Sequence, residues 1–197
     1  MTKTLIIHGL DGSPAPHWQH WWAAGEHDAI LVDLPQPSKP DPRLWEIELA
    51  GVVLRHPRSI LVGHSLGAVL IARVLAKWPQ LNIRAAMLVA PAETEGAARI
   101  GHFGPIPTVR FDVTTTLVAS RNDPWMSFAR ARSLAASFGA SFVDMGFAGH
   151  INVASGFGPW AQGRTLRDDL LVQSTPAPIG TKLPLSHLPP SQLQGVA

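Results

Sequence analysis

The sequence predicts an α/β fold: a mostly parallel sheet of about six strands with helices on both faces. Three observations carry this reading. Short aliphatic or β-branched runs alternate with segments of helical period, the pattern of repeated strand–helix crossovers. Two of the runs, Ile60-Leu61-Val62 and Met87-Leu88-Val89, are continuously apolar, as strands buried on both faces are. The chain has 197 residues, 46% hydrophobic and 15% charged, which is enough apolar matter for one core.

The predicted strands are Leu5–His8, Ala29–Val32, Ser59–Val62, Ala85–Ala90, Thr114–Ala119 and Ser141–Asp144. Helices are expected at about 17–24, 42–55, 66–78, 126–138 and 160–173, each between or after strands. Residues 91–112 break the alternation with Gly96, Gly101, Gly104, Pro105 and Pro107, as lids and binding loops do. Residues 174–197 hold five prolines and one charge, Lys182, with no periodicity. The expected layout is therefore a domain over 1–173 and a Pro-rich tail over 174–197, lying on the surface or disordered, with Leu183, Leu185 and Leu188 able to dock it as a strap.

Composition excludes several function classes. With no cysteine there is no disulfide framework, thiolate metal site or thiol nucleophile, and with no tyrosine there is no phenol chemistry. Sixteen Lys and Arg against 14 Asp and Glu give a formal charge of +2. The arginines are scattered, so no basic stripe for nucleic acid emerges. The N-terminal aliphatic run is three residues, short of a signal-peptide centre, and nothing approaches a membrane span of about 20 apolar residues. These features predict a cytoplasmic protein.

The chemistry centres on Gly63-His64-Ser65-Leu66-Gly67, where an apolar strand passes directly into a helix. So sharp a turn crowds the backbone two residues either side of its centre, and glycines there relieve it. The turn lifts the Ser65 hydroxyl above the sheet's carboxyl edge, beside the helix N-terminus. Chance gives about 0.1 such patterns in a chain of this composition, and the flanking strand and helix make an accident rarer still.

A serine hydroxyl needs a base, and active groups of open α/β sheets gather at the strands' carboxyl ends. Asp123 follows the fifth strand at once, before Pro124, and is the first candidate acid. Asp144, at the end of strand six, is the second. His150, between Gly149 and Ile151 just past the last strand, is the candidate base. His64 should point away from its neighbour Ser65, and His8 should brace the first turn. His17 and His20, three apart, fit a partly exposed helix face better than a metal site. The order Ser65, Asp123, His150 is that of α/β-hydrolases.

An oxyanion hole would take the Leu66 N–H, just after the nucleophile, and the Leu10 N–H from the turn after strand one. Trp18, Trp21 and Trp22 follow helical spacing and are expected in the core. Trp125, Phe147 and Phe103 are the candidate pocket residues, Phe103 being placed in the long link to close over the site.

Four stretches in order are familiar: His8-Gly9-Leu10-Asp11-Gly12-Ser13 followed by His17-Trp18-Gln19, then Gly63–Gly67, then Ala119-Ser120-Arg121-Asn122-Asp123-Pro124, then Gly149-His150-Ile151-Asn152. From about residue 3 to 172 the chain resembles the small serine hydrolase family, within the α/β-hydrolase superfamily, that includes retinoblastoma-binding protein nine and its bacterial relatives. The resemblance implies a compact α/β-hydrolase with no large cap domain, no cofactor, and Ser65, Asp123 and His150 as a triad; no metal is expected, since His17 and His20 have no third ligand nearby. It implies no particular substrate. The expectation is a hydrolase of small carboxylic esters, or of amides, acting through an acyl-enzyme on a small-molecule acyl substrate. A catalytically idle binding protein on the same scaffold stays open, as does an acyltransferase or lyase using the same triad, and a protein partner is left open.

Overall fold

The structure, a computed structural model, describes residues 2–175, so most of the Pro-rich tail lies outside the described residues. Six strands form one sheet in the order β2-β1-β3-β4-β5-β6. They are β1 (Thr4–Ile7), β2 (Ala29–Leu31), β3 (Ser59–His64), β4 (Ile83–Val89), β5 (Thr114–Ala119) and β6 (Ser141–Asp144). Every neighbouring pair is parallel. The helices between and after them are α1 (Trp18–Gly25), α2 (Pro42–Arg55), α3 (Leu66–Lys77), α4 (Phe128–Phe138) and α5 (Ala161–Gln173).

Strand alternation sorts the core into two layers. Leu5, Ile7 and Leu61 pack with Trp45 of α2, Leu70 of α3 and Leu134 of α4 on one face. Ile6, Ile60 and Val62 pack with Trp18 and Trp22 of α1 and Leu170 of α5 on the other. Period-two side-chain direction is what lets one strand feed both layers. Trp21, expected inside, is 43% exposed, because α1 turns only one face to the sheet.

Helix starts follow their local chemistry. Asp41 caps α2 through Leu44 N–H, with Pro42 at the first helical position. Ser127 caps α4, which stops at left-handed Gly139. The chain order reverses between β1 and β3, so the crevice between them opens at the carboxyl edge, where sites of such sheets form. The link between β4 and β5 stays irregular except for a single turn at Gly101–Phe103. Among the described residues no inserted domain covers the sheet's edge, and no helix is long and apolar enough to cross a membrane.

At the β3–α3 turn, helix and sheet meet with no room for a side chain. A Cβ on Gly67 would strike the carbonyls of Ile7 and His8, and one on Gly63 would lie 2.6 Å from the Gly67 carbonyl oxygen. Backbone cannot retreat from such contacts as a flexible side chain can. Gly67→Ala should therefore cost about 3 kcal/mol or more, as overpacking of rigid neighbours does. Gly158→Ala, where a Cβ meets nothing within 4 Å, should stay within about 0.5 kcal/mol. Urea unfolding midpoints of the two variants test the contrast.

Candidate active site

Ser65 sits at the tip of the β3–α3 turn with φ 56° and ψ −122°, a backbone conformation L-residues rarely adopt. Holding a non-glycine residue there costs on the order of 1–3 kcal/mol. The turn is held in place by Ser65 N–H donating to the Val89 carbonyl at 3.0 Å. The hydroxyl then faces His150, with Ser65 Oγ 2.9 Å from His150 Nε2. His150 Nδ1 lies 2.9 Å from both carboxylate oxygens of Asp123. Since a carboxylate only accepts, Nδ1 carries the proton and Nε2 is left to accept from Ser65. The His150 and Asp123 side chains are 8% and 4% exposed, so the pair is shielded from water. Asp123 Oδ1 also accepts the Trp125 amide at 2.9 Å, which fixes the carboxylate's angle.

The histidine loop is pinned at five points. Ser120 Oγ accepts the Ala148 N–H, Asn122 Oδ1 the Gly149 N–H and Ser155 Oγ the His150 N–H, at 3.0, 2.8 and 3.0 Å. On the other side His64 Nε2–H donates to the His150 carbonyl at 2.8 Å. Trp18 Nε1–H donates to the Ile151 carbonyl at 2.9 Å. These bonds hold Ile151, a β-branched residue, at φ 49° with its side chain fully buried. Burial drives the His64 pKa well below that of a free imidazole, and the nearby His150 and His17 add to the effect. A neutral ring with its proton on Nε2 is the form that can donate to a carbonyl.

Asp144, the second candidate acid, faces elsewhere. Arg121 grips its carboxylate at 2.7 and 2.9 Å, and with the Gly146 N–H holds its pKa below the ordinary carboxylate value. Leu10 and Leu66 both border the cavity beside Ser65, and neither N–H has an acceptor among the described residues. Gly9 brings the two together: a Cβ there would lie 3.0 Å from Ser65 Cβ and 3.5 Å from the Leu66 nitrogen. His8 Nδ1–H donates to the Gly9 carbonyl at 2.8 Å and steadies that turn.

The cavity holds about 550 Å³ and is bounded on one side by Ala92, Ala97 and Ile100 from the β4–β5 link. At its rim Arg99 binds Asp11 through two bonds of 2.8 Å, joining that link to the turn after β1. Both partners are more than half exposed, so this pair orders the rim more than it stabilises the fold.

Of the three aromatic pocket candidates only Trp125 borders this cavity, its ring 6.2 Å from that of His150. Phe103 does not close over the site. It is 2% exposed, packs edge-on against Trp45 at 5.9 Å, and its carbonyl is held by Arg73. Ile100, Phe103 and Ile106 of the link turn inward because helices α2 and α3 offer a surface to bury them. Phe147 is 79% exposed and lies away from the cavity.

His17 also departs from its expected place on a half-exposed helix face. It is 7% exposed, caps α1 and borders the cavity. Asn152 borders it too, and the sequence marks neither it nor the pinning roles of Trp18, Ser120 and Asn122. One signal existed for His17: a histidine at a helix start where Ser, Thr, Asp or Asn is usual asks for a second reason.

Comparisons with known proteins identify the family and the fold. A family model described as serine hydrolase matches residues 4–168. No curated protein matches the chain. Among solved structures, a protein described as a YdeN-like hydrolase, from Pectobacterium atrosepticum, is 31% identical with a TM-score of 0.81, over 89% of this chain and 94% of that one. The ydeN gene product of B. subtilis is 21% identical with a TM-score of 0.72, over 87% and 100%. An esterase from a Rhodococcus species, 14% identical with a TM-score of 0.60 over 88% and 90%, shares the fold. The chain belongs to the serine hydrolase family and has the α/β-hydrolase fold.

Proposed function

We propose that this hydrolase cleaves small carboxylic esters through an acyl-enzyme, with Ser65 as nucleophile, His150 as base and Asp123 as the acid that orients it. The observation that carries the proposal is the continuous line of hydrogen bonds from Ser65 Oγ through the His150 ring to Asp123, each 2.9 Å. As Oγ adds to the substrate carbonyl carbon, its proton passes to His150 Nε2. The carbonyl oxygen becomes an oxyanion, and the N–H groups of Leu10 and Leu66 are the donors available to it. The dipole of α3 adds favourable potential at the same place. When the tetrahedral intermediate collapses, the carbon–oxygen bond to the leaving alcohol breaks and His150 returns the proton to that oxygen. Water then enters, gives a proton to His150 and releases the acid by the reverse sequence.

Asp123 supports the imidazolium that forms in each half and keeps the proton on Nδ1 throughout. The apolar wall of Leu66, Ala92, Ala97 and Ile100 is suited to a small acyl or alcohol group. The cavity's volume falls within the ordinary range for small-molecule sites.

A fluorophosphonate probe should label the native protein, and Ser65→Ala should abolish both labelling and ester hydrolysis; an unlabelled, folded native protein would refute the assignment. Asp123→Asn should lower kcat by about 10⁴, whereas Asp144→Asn, on an exposed ion pair, should change it less than threefold or so. Asn122→Ala removes the acceptor for Gly149 N–H. It should lower kcat by about tenfold with a small change in the unfolding midpoint, which steady-state kinetics and urea titration measure together.

A further inference from the structure

Two residues that border the cavity each carry a hydrogen-bond donor with no acceptor among the described residues. His17 Nδ1 accepts the Gln19 N–H at 3.2 Å, so the ring's proton resides on Nε2. That Nε2–H has no acceptor among the described residues. The adjacent His64 ring lies 4.9 Å away, centroid to centroid, tilted by 56° and not hydrogen-bonded to it. Asn152 is fixed in the same way: its Oδ1 accepts from Ser155 N–H at 3.1 Å and from Ser155 Oγ–H at 3.0 Å. Its amide orientation follows, and Nδ2 is left with no acceptor among the described residues. Both residues border the cavity that holds Ser65, opposite in character to the apolar wall of Ala92, Ala97 and Ile100.

We propose that His17 and Asn152 form a donor subsite, and that the substrates are esters carrying a second, neutral oxygen acceptor (a hydroxyl, ether or carbonyl) beside the ester group. This rests on the hydrolase reading above and names its substrate class. A purely hydrocarbon group lying on these donors would strip them of water and offer nothing in return. A site built to hydrogen-bond its ligand rejects the analogue lacking the acceptor more strongly than an apolar pocket rejects a missing methylene. Burial, with a smaller contribution from the nearby His150, lowers the His17 pKa to about 4. At neutral pH the ring is therefore an uncharged donor, matched to an uncharged oxygen.

Matched esters differing by oxygen for methylene test this on each side of the scissile bond. On the acyl side, 4-nitrophenyl methoxyacetate is compared with 4-nitrophenyl butyrate. On the alcohol side, 2-methoxyethyl acetate is compared with butyl acetate. Each kcat/KM is divided by the ester's hydroxide-catalysed rate, which removes intrinsic reactivity. The native enzyme should prefer the oxygen-containing member of at least one pair by about tenfold or more, and the preferred pair reports which side the donors contact. His17→Asn keeps an acceptor for Gln19 N–H but withdraws the Nε2–H. It should lose about tenfold more on the oxygen-containing member than on its methylene twin. Asn152→Asp, which keeps the acceptor for Ser155, supplies the same test should the first variant fold poorly. Normalised ratios near one in both pairs overturn the proposal, as does a preference that survives both substitutions. A native protein that takes the fluorophosphonate label yet hydrolyses none of the four esters overturns the substrate class alone. One that neither takes the label nor hydrolyses them overturns the hydrolase reading with it.

Discussion

The molecule is organised around one steric constraint, the contact between the β3–α3 turn and the end of β1. Ser65 can occupy its positive-φ conformation only because the residues two before and two after it lack a Cβ. The same shortage of space brings the Gly9 turn against the serine and places the Leu10 and Leu66 amides beside one cavity. Exposure of the Ser65 hydroxyl and the availability of backbone donors are therefore not separate features. Both follow from how closely a helix start can approach a strand end, and local strain is tolerated because the surrounding sheet is rigid.

The histidine has to be aimed at this fixed point, and the sheet alone does not do that. His150 lies beyond β6 in a loop whose amide and carbonyl groups are taken up by side chains from four other segments. Each bond is modest, about 0.5–1.5 kcal/mol net. Together they define the ring's position with little freedom left to remove on substrate binding. Electrostatics sets a further condition. The rings of His17, His64 and His150 lie in a row, 4.9 and 4.8 Å apart, so the first two must be uncharged if the third is to take a proton readily. Burial keeps them so.

Much of this was legible in the chain. Strands and helices were readable because a doubly covered parallel sheet writes itself as apolar runs, and β5 and β6 match their predicted limits residue for residue. That Ser65, Asp123 and His150 come together is legible because strand ends have a known side and the Gly63–Gly67 spacing has a steric meaning. Phe103 departs from expectation for a physical reason: an aromatic residue in an irregular link has no period to show whether it faces solvent, ligand or core. His17 departs from expectation because burial of a helix start depends on what lies above it, here a loop more than 130 residues later in sequence. Long-range contacts of that kind leave no local trace.

The all-parallel pairing also shapes how the chain acquires its structure. No two neighbouring strands are joined by a hairpin, so no part of the sheet can form from a few adjacent residues. The first strand must wait for Ser59–His64 before its second edge is satisfied, since β3, not β2, is its inner neighbour. Topologies of this kind fold slowly, and unsatisfied strand edges persist while they do. A nascent chain that has exposed only β1 and β2 presents the inner edge of β1 unpaired, a window in which chaperone capture competes with aggregation.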